Sequence, residues 1–352
     1  MLVPKMTHSL TSSLKSAICL KAWLSLALIL CSARACISQV ISFATPQRDT
    51  TTQIGGESGQ TGVGAANFNG ALWVAYAGTP ADQYGQANIE LAWNYDGGVT
   101  YGNKILALSY GGGNPQPLHT DSNPALAVFN GILYIAYTQA NFPYFVFSSD
   151  GIHWGSPSDA CNNGSSATGV DASPSLTVFN GALIMANRDK STHEMIICRI
   201  ASNNTATSTL YPTITLNYNP SLAVFNNKLY AAIEKNDTAH TIDLYTSTDA
   251  VTFTENTGAS SDQTSTAPSL AVHNNVLYLG FRSNDSEQGF RYKYSTNGFT
   301  FSSDINPHWT EAGPPTLLSA DYLPNSPYNG QLFVYFSSHT SVPNYLCSNH
   351  GQ

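Results

Sequence analysis

After an opening stretch, one pattern of apolar and polar positions recurs along the chain. It reads Pro, a small residue, Leu-Ala-Val-Phe, a polar Asn-Gly or Asn-Asn break, then a second apolar run opening with Leu-Tyr. Four copies are close: Pro124-Ala-Leu-Ala-Val-Phe-Asn-Gly131, Pro174-Ser-Leu-Thr-Val-Phe-Asn-Gly181, Pro220-Ser-Leu-Ala-Val-Phe-Asn-Asn227 and Pro268-Ser-Leu-Ala-Val-His-Asn-Asn275. A looser first copy is Gly64-Ala-Ala-Asn-Phe-Asn-Gly70. A last copy, with an insertion, runs from Pro315 to Gly330. The shared Asn falls at 69, 130, 180, 226, 274 and 329, at intervals of 61, 50, 46, 48 and 55 residues.

Each phrase predicts a β-hairpin, because Asn-Gly and Asn-Asn supply the two positive-φ residues of a type I′ turn. The second strand alternates, as in Leu133-Tyr-Ile-Ala-Tyr137. A third strand follows a polar loop, as in Thr241-Ile-Asp-Leu-Tyr-Thr-Ser247, and a short fourth strand is expected around Trp154, Phe253 and Phe301. No helical periodicity appears after residue 36. Four antiparallel strands every ~40–60 residues make one blade of a β-propeller. Six copies predict an all-β, six-bladed propeller of four-stranded antiparallel blades, a single domain over residues 36–352. The last copy ends after its third strand. The lone strand Ile37-Ser-Gln-Val-Ile-Ser-Phe43 is therefore expected to pair with 343–349 and close the ring, which removes free sheet edges.

Residues 1–35 read as a leader. Lys5, Lys15 and Lys21 precede the uncharged run Ala22–Leu30, and Ala33-Arg-Ala35 has small-x-small spacing, so cleavage is expected before Cys36. A nine-residue helix rises about 13 Å, too little for a bilayer core of ~30 Å. The chain is thus expected to be secreted, or periplasmic in a Gram-negative host, with no membrane span. A lipid anchor on Cys31 or Cys36 is disfavoured by the residues before each. Removing the leader's four basic residues leaves 10 Lys and Arg against 22 Asp and Glu, a net charge of −12. Such a surface argues against nucleic acid or anionic membrane as partners.

Cys36, Cys161, Cys198 and Cys347 remain, which permits two disulfides in three connectivities. If the ring closes as expected, Cys36 and Cys347 come together, and Cys161 with Cys198 is the remaining pair. No CxxC pair occurs and the histidines are scattered, so no metal and no cofactor is expected. Asn163, Asn203, Asn236 and Asn284 begin glycosylation sequons.

A second motif repeats between third and fourth strands: Ser148-Ser-Asp150-Gly-Ile-His-Trp154, Ser247-Thr-Asp249-Ala-Val-Thr-Phe253 and Ser295-Thr-Asn297-Gly-Phe-Thr-Phe301, with Asn94-Tyr-Asp96-Gly in the first copy. These resemble the Asp-box of sialidase-superfamily propellers. The first copy keeps that motif's full spacing and the others are one residue shorter. With the repeat phrase, the whole chain after the leader resembles propellers described as sialidase-like or lectin-like. The recurring Asp96, Asp150, Asp249 and Asn297 read as turn stabilisers, since a side-chain oxygen there can accept backbone N–H bonds, with Trp154 burying behind the turn. Sialidase activity, as the resemblance would imply it, needs three arginines, a Tyr–Glu pair and an acid/base Asp. The early Arg-Ile-Pro motif is absent, only Arg48, Arg188, Arg199, Arg282 and Arg291 follow the leader, and no Glu stands out beside a Tyr.

Other glycosidases need two carboxylates flanking the bond. The lead-in to the innermost strand carries Asp121, Asp171, Asn217, Ser265 and Glu311 at equivalent positions. The loop after the second strand carries Gln139, Arg188-Asp189, Glu234-Lys235 and Arg282-Ser-Asn-Asp285. In a propeller these segments share one rim of the central channel, the expected ligand site. The first functional expectation is a secreted module binding a glycan or another small extracellular ligand through quasi-equivalent sites, consistent with 19 Tyr, 15 Phe and few charges. The alternative is a sialidase-like glycoside hydrolase acting at one asymmetric point of the rim. A protein-interaction scaffold has no sequence feature of its own, and oligomeric state is not legible. No Gly-x-Ser-x-Gly, P-loop or HExxH pattern is present.

Overall fold

A computed structural model describes residues 47–48, 62–81, 86–95, 103–111, 114–161, 169–258, 262–309, 313–320, 330–337 and 346–351. The leader, the 37–43 strand, Cys36, Asp96 and Glu311 lie outside the described residues.

The repeated phrase forms a hairpin wherever it occurs. Gly64–Phe68 pairs with Ala71–Ala81, Ala125–Phe129 with Ile132–Gln139, and Ser175–Phe179 with Ala182–Arg188. Ser221–Phe225 pairs with Lys228–Glu234, Ser269–His273 with Val276–Arg282, and Thr316–Ala320 with Gln331–Ser337. At the hairpin tips Asn130 and Gly131 have φ of 52° and 74°, and Asn226 and Asn227 have 48° and 57°, the two left-handed residues of a type I′ turn. A third strand joins each hairpin antiparallel: Ala87–Asn94, Phe142–Ser148, Glu194–Ile200, Ile242–Ser247, Phe290–Ser295 and Leu346–Gly351. Outer strands complete four-stranded sheets, among them Ala206–Thr215 in the third and Thr254–Glu255 in the fourth.

Three expectations change, the first in the fifth sheet, which has three strands among the described residues and none at Phe301, where the chain makes only a single bridge from Ile305 to Tyr292. The outer strand of the second sheet is Ser158–Asp159, which pairs with Tyr144 and Phe145, not the stretch around Trp154. Trp154 is turned into the core at 1% exposure. Its backbone leaves the sheet and pairs parallel with Leu108–Ser109, which pairs in turn with Gln116–Pro117. The outer strand against Leu346–Gly351 is Gln47–Arg48, with Gln47 opposite Ser348 and Arg48 opposite Cys347. It lies four residues beyond the 37–43 segment expected there.

The core lies between sheets. Trp73, Ile89 and Leu91 of the first sheet pack with Leu133, Ile135 and Val146 of the second, and Leu183 and Met185 of the third with Ala136 and Phe145. Similar clusters join the third sheet to the fourth and the fourth to the fifth. Val74 and Tyr76 of the first sheet pack with Phe333 and Tyr335 of the last. Each middle strand is therefore sandwiched, and Leu133 through Tyr137 are all buried. The second strands therefore do not alternate between core and solvent. Cys161, after the second sheet's outer strand, is disulfide-bonded to Cys198 in the third sheet's third strand.

Innermost strands run side by side and are stitched by serines. Ser175 Oγ accepts from Leu222 N at 3.0 Å, Ser221 Oγ from Leu270 N at 2.9 Å, and Ser269 Oγ from Leu317 N at 2.9 Å. The starts of these strands line a cavity of about 150 Å³.

Candidate functional site

Two ends of each sheet can be told apart. Inner strands begin, and second strands end, at one edge, the rim. The Asn-Gly tips and the Ser-x-Asp turns lie at the other. At the far edge the chemistry repeats. Asp150 Oδ1 accepts from Ile152 N and His153 N at 2.8 Å each and from Ser148 Oγ at 2.8 Å. Asp249 Oδ1 accepts from Val251 N, Thr252 N and Ser247 Oγ at 2.8, 2.7 and 2.9 Å. Asn297 Oδ1 does the same with Phe299 N, Thr300 N and Ser295 Oγ. The Thr252 and Val251 N–H groups and the Ser247 hydroxyl hold Asp249 down at about 2.

At the rim, equivalent backbone positions carry different side chains. Asp121 N donates to Thr138 O, Asn217 N to Glu234 O and Ser265 N to Arg282 O, which fixes their equivalence. Asp121 is exposed; its carboxylate accepts from Gln86 Nε2 at 2.8 Å and Asn141 N at 3.0 Å. Gln139 Nε2 donates to Gln86, and Lys190 Nζ to Asn141 Oδ1. Arg282 donates to Ser265 Oγ at 3.1 Å and to Gln288 Oε1 at 2.5 Å.

Between the third and fourth sheets the rim residues form one chain of contacts. Arg188 Nε donates to Asp171 Oδ1 at 2.9 Å, and Arg188 Nη1 donates to the Asn217 carbonyl. Asn217 Nδ2 donates to Glu234 Oε1 at 3.0 Å, and His240 Nδ1 stands 2.5 Å from the same oxygen. The Asp171 and His240 side chains are 26% and 41% exposed, whereas Glu234 is fully buried. Burial pushes Glu234 above the usual carboxylate range, against the opposing pull of Asn217 and His240. Its Oε2 has no hydrogen-bond partner among the described residues. Next to Asn217, Tyr218 is 40% exposed, and at the same edge of the second sheet Phe142 is 51% exposed.

Other candidates on these loops serve the loops themselves. Asp189 Oδ1 accepts from Ser191 N and Thr192 N. Asp285 accepts from Ser283 Oγ, Glu287 N and Gln288 N and pairs with Arg291 at 2.5 Å. Lys235 reaches Asp243 on the next strand at 3.3 Å. Sequence reasoning passed over His240, because a single His after a polar loop carries no pattern. It also found no Glu beside a Tyr, yet Glu90 stands opposite Tyr76 across neighbouring strands. Both are buried and Glu90 is 2.5 Å from Lys104, so this pair lies inside the stack, next to the rim end of the first sheet. Among the described residues no His/Cys/Asp/Glu cluster could hold a metal ion, and no helix is long and apolar enough to cross a membrane.

No family profile and no curated protein matches the sequence. Solved structures do match. The α-L-arabinofuranosidase Arb93A of Fusarium graminearum aligns over 88% of this chain and 97% of its own, with a TM-score of 0.58 at 13% identity. The sialidase of Trypanosoma rangeli aligns over 88% of this chain with a TM-score of 0.57 at 14% identity, and the chain spans 59% of that enzyme's length. At such identities the likeness is one of architecture: this chain folds as a β-propeller, as those two enzymes do.

Proposed function

We propose that the chain is an exported glycoside hydrolase whose site lies on the rim between the third and fourth sheets. The observation that carries this reading is the Asp171–Arg188–Asn217–Glu234–His240 chain, which the other described sheets do not repeat. A module with quasi-equivalent sugar sites would place like side chains at like positions. This rim instead offers Asp121, Asp171, Asn217 and Ser265 at one position. The architecture shared with an arabinofuranosidase and a sialidase favours the same reading.

In this reading Asp171 is the reachable carboxylate, held by Arg188 to face the cationic sugar carbon of the transition state or its attacking water. His240 is the proton donor to the leaving oxygen. Glu234, buried behind it, orients the imidazole and stabilises its cation, as a carboxylate does for a catalytic histidine. Tyr218 offers an exposed ring against which a sugar can stack. We further infer six blades closed into a ring. Adjacent inner strands, the packing of the first sheet on the last, and the pairing of Gln47–Arg48 with Leu346–Gly351 support it.

A fluorogenic panel of pentofuranosides, pentopyranosides, hexopyranosides and a sialoside tests the proposal. One class should be turned over. Asp171→Asn and His240→Gln should each lower kcat about 10²–10⁴-fold, while thermal unfolding stays near wild type. Turnover unaffected by either substitution, or no turnover of any class, overturns it.

A further inference from the structure

A second cavity lies about 20 Å from the rim, at the opposite end of the seven-residue strand Phe142–Ser148. Its volume is about 380 Å³, and Tyr110, Phe147, Ser149, His153 and Trp154 stand in its wall. Tyr110 is 40% exposed, with its ring centroid 4.9 Å from that of His153. His153 Nδ1 is 2.6 Å from Asp150 Oδ2, which orients the imidazole and leaves Nε2 on a side chain that is 62% exposed. Despite partial burial, the backbone and side-chain contacts of His153, with Ile152 N and Ser148, keep Asp150 well below the usual carboxylate range. Trp154 is 1% exposed, and its Nε1 has no hydrogen-bond partner among the described residues.

The residues of this wall differ from those of the sister turns. The same turns in the fourth and fifth sheets carry Thr252-Phe253 and Thr300-Phe301 where this one carries His153-Trp154. Only here does chain from the first sheet come alongside, with Leu108–Ser109 pairing parallel to His153–Trp154 and Tyr110 N donating to Trp154 O at 2.9 Å. That stitch places Tyr110 over His153.

From this geometry we propose that the Tyr110–His153–Trp154 cavity is an accessory binding site for one ring of a neutral saccharide. The chemistry narrows the ligand by elimination. A wholly apolar molecule would desolvate the Asp150–His153 pair without replacing its hydrogen bonds. An anion would be disfavoured by the Asp150 carboxylate, which stands 2.6 Å behind His153 Nδ1. A neutral sugar has an apolar C–H face for Tyr110 and hydroxyls for His153 Nε2 and Ser149. The site needs no catalysis at the rim and stands whether or not that reading does.

Affinity electrophoresis through gels holding arabinan, xylan, β-glucan or galactomannan tests it on the intact protein. Retardation is expected in at least one gel, with roughly tenfold weaker binding in Tyr110→Ala and His153→Ala. Asp171→Asn should be retarded like wild type although its turnover is lost, and Tyr110→Ala should keep wild-type turnover of a small fluorogenic glycoside. Trp154→Phe, which restores the aromatic of the sister turns, keeps the fold and should abolish the change in tryptophan fluorescence on adding the retarding polysaccharide. No retardation in any gel, undiminished retardation in both alanine variants, or an unchanged fluorescence response in Trp154→Phe overturns the proposal.

Discussion

The two ends of the same sheets obey different rules. At the far end, three turns bind the same backbone groups with the same side-chain oxygen, to within about 0.1 Å of one another for the paired N–H bonds. At the rim, four equivalent lead-in positions hold Asp121, Asp171, Asn217 and Ser265, each in a different network. A feature repeated from sheet to sheet answers a need those sheets share, which is to reverse the chain with its N–H groups satisfied. A feature present once answers no such need. The Asp turns thus belong to the fold, and the chain from Asp171 to His240 is where chemistry specific to this protein belongs.

The largest expected separation of the two ends is in turnover. Asp171→Asn should lose two to four orders of magnitude in kcat with little change in urea midpoint, since its carboxylate is partly exposed and its partner Arg188 keeps the Asn217 carbonyl. The pH profile of the wild type sharpens this. Protonated Glu234 no longer stabilises the His240 cation, so turnover should fall on the acid side as pH drops through the raised Glu234 value. Replacing Glu234 with Gln should remove that acid limb. In stability the sign is also fixed: a raised carboxyl contributes below its unfolded value and loses that contribution as pH rises through its folded value. At the far end the effects invert. Trp154→Ala, emptying a side chain packed between the first two sheets, should cost about 3–5 kcal/mol in urea unfolding and leave the turnover of still-folded protein unchanged.

Cys161–Cys198 comes next in size. It joins the second sheet to the third across 37 residues, and replacing both with Ser should cost about 3–4 kcal/mol by chain entropy. Reduction with dithiothreitol should shift the unfolding midpoint of the wild type and not of the double variant.

These two ends also differ in how far the sequence discloses them. The Asn-Gly tips, the hairpin spacing and the Ser-x-Asp turns are local, so a short window of residues determines each. The rim is assembled from lead-ins and loops some 20 to 70 residues apart. Its equivalent positions can be counted from the shared Asn, which identifies Asp171, Arg188, Asn217 and Glu234. Counting does not show which of them touch. Asp189 and Asp285 look alike with Asp171 in sequence, yet they cap their own loops through Ser191, Thr192, Glu287 and Gln288. His240 lies six residues beyond Glu234, where the fifth sheet has Gln288 six beyond Arg282, and only the fold shows that each reaches back to its strand end at 2.5 Å. The second sheet's outer strand departs from the sequence pattern for a related reason, whereas the fourth sheet's Thr254–Glu255 lies at Phe253 as the pattern predicts. Trp154 reads as strand by residue type, but burying its ring between sheets pulls its backbone out of the ladder and onto Leu108–Ser109.

The smallest effect tests whether the turn oxygen matters as a charge or as an acceptor. Asn297 fills the place of Asp249 and accepts the same three bonds, with Oδ1 at 2.8 Å from Phe299 N and Thr300 N and 3.0 Å from Ser295 Oγ. Asp249→Asn should therefore keep the turn and change stability at neutral pH only slightly. What it removes is a pH dependence. Asp249 sits at about 2 when folded, against about 3.9 in an unfolded chain. Its charge contributes in full above the unfolded value, and that contribution is lost as pH falls through about 2. Urea midpoints of wild type and variant should differ at pH 6 and converge as pH approaches 2. Should the gap persist at pH 2, the carboxylate would matter through its shape, and the turns would owe nothing to charge.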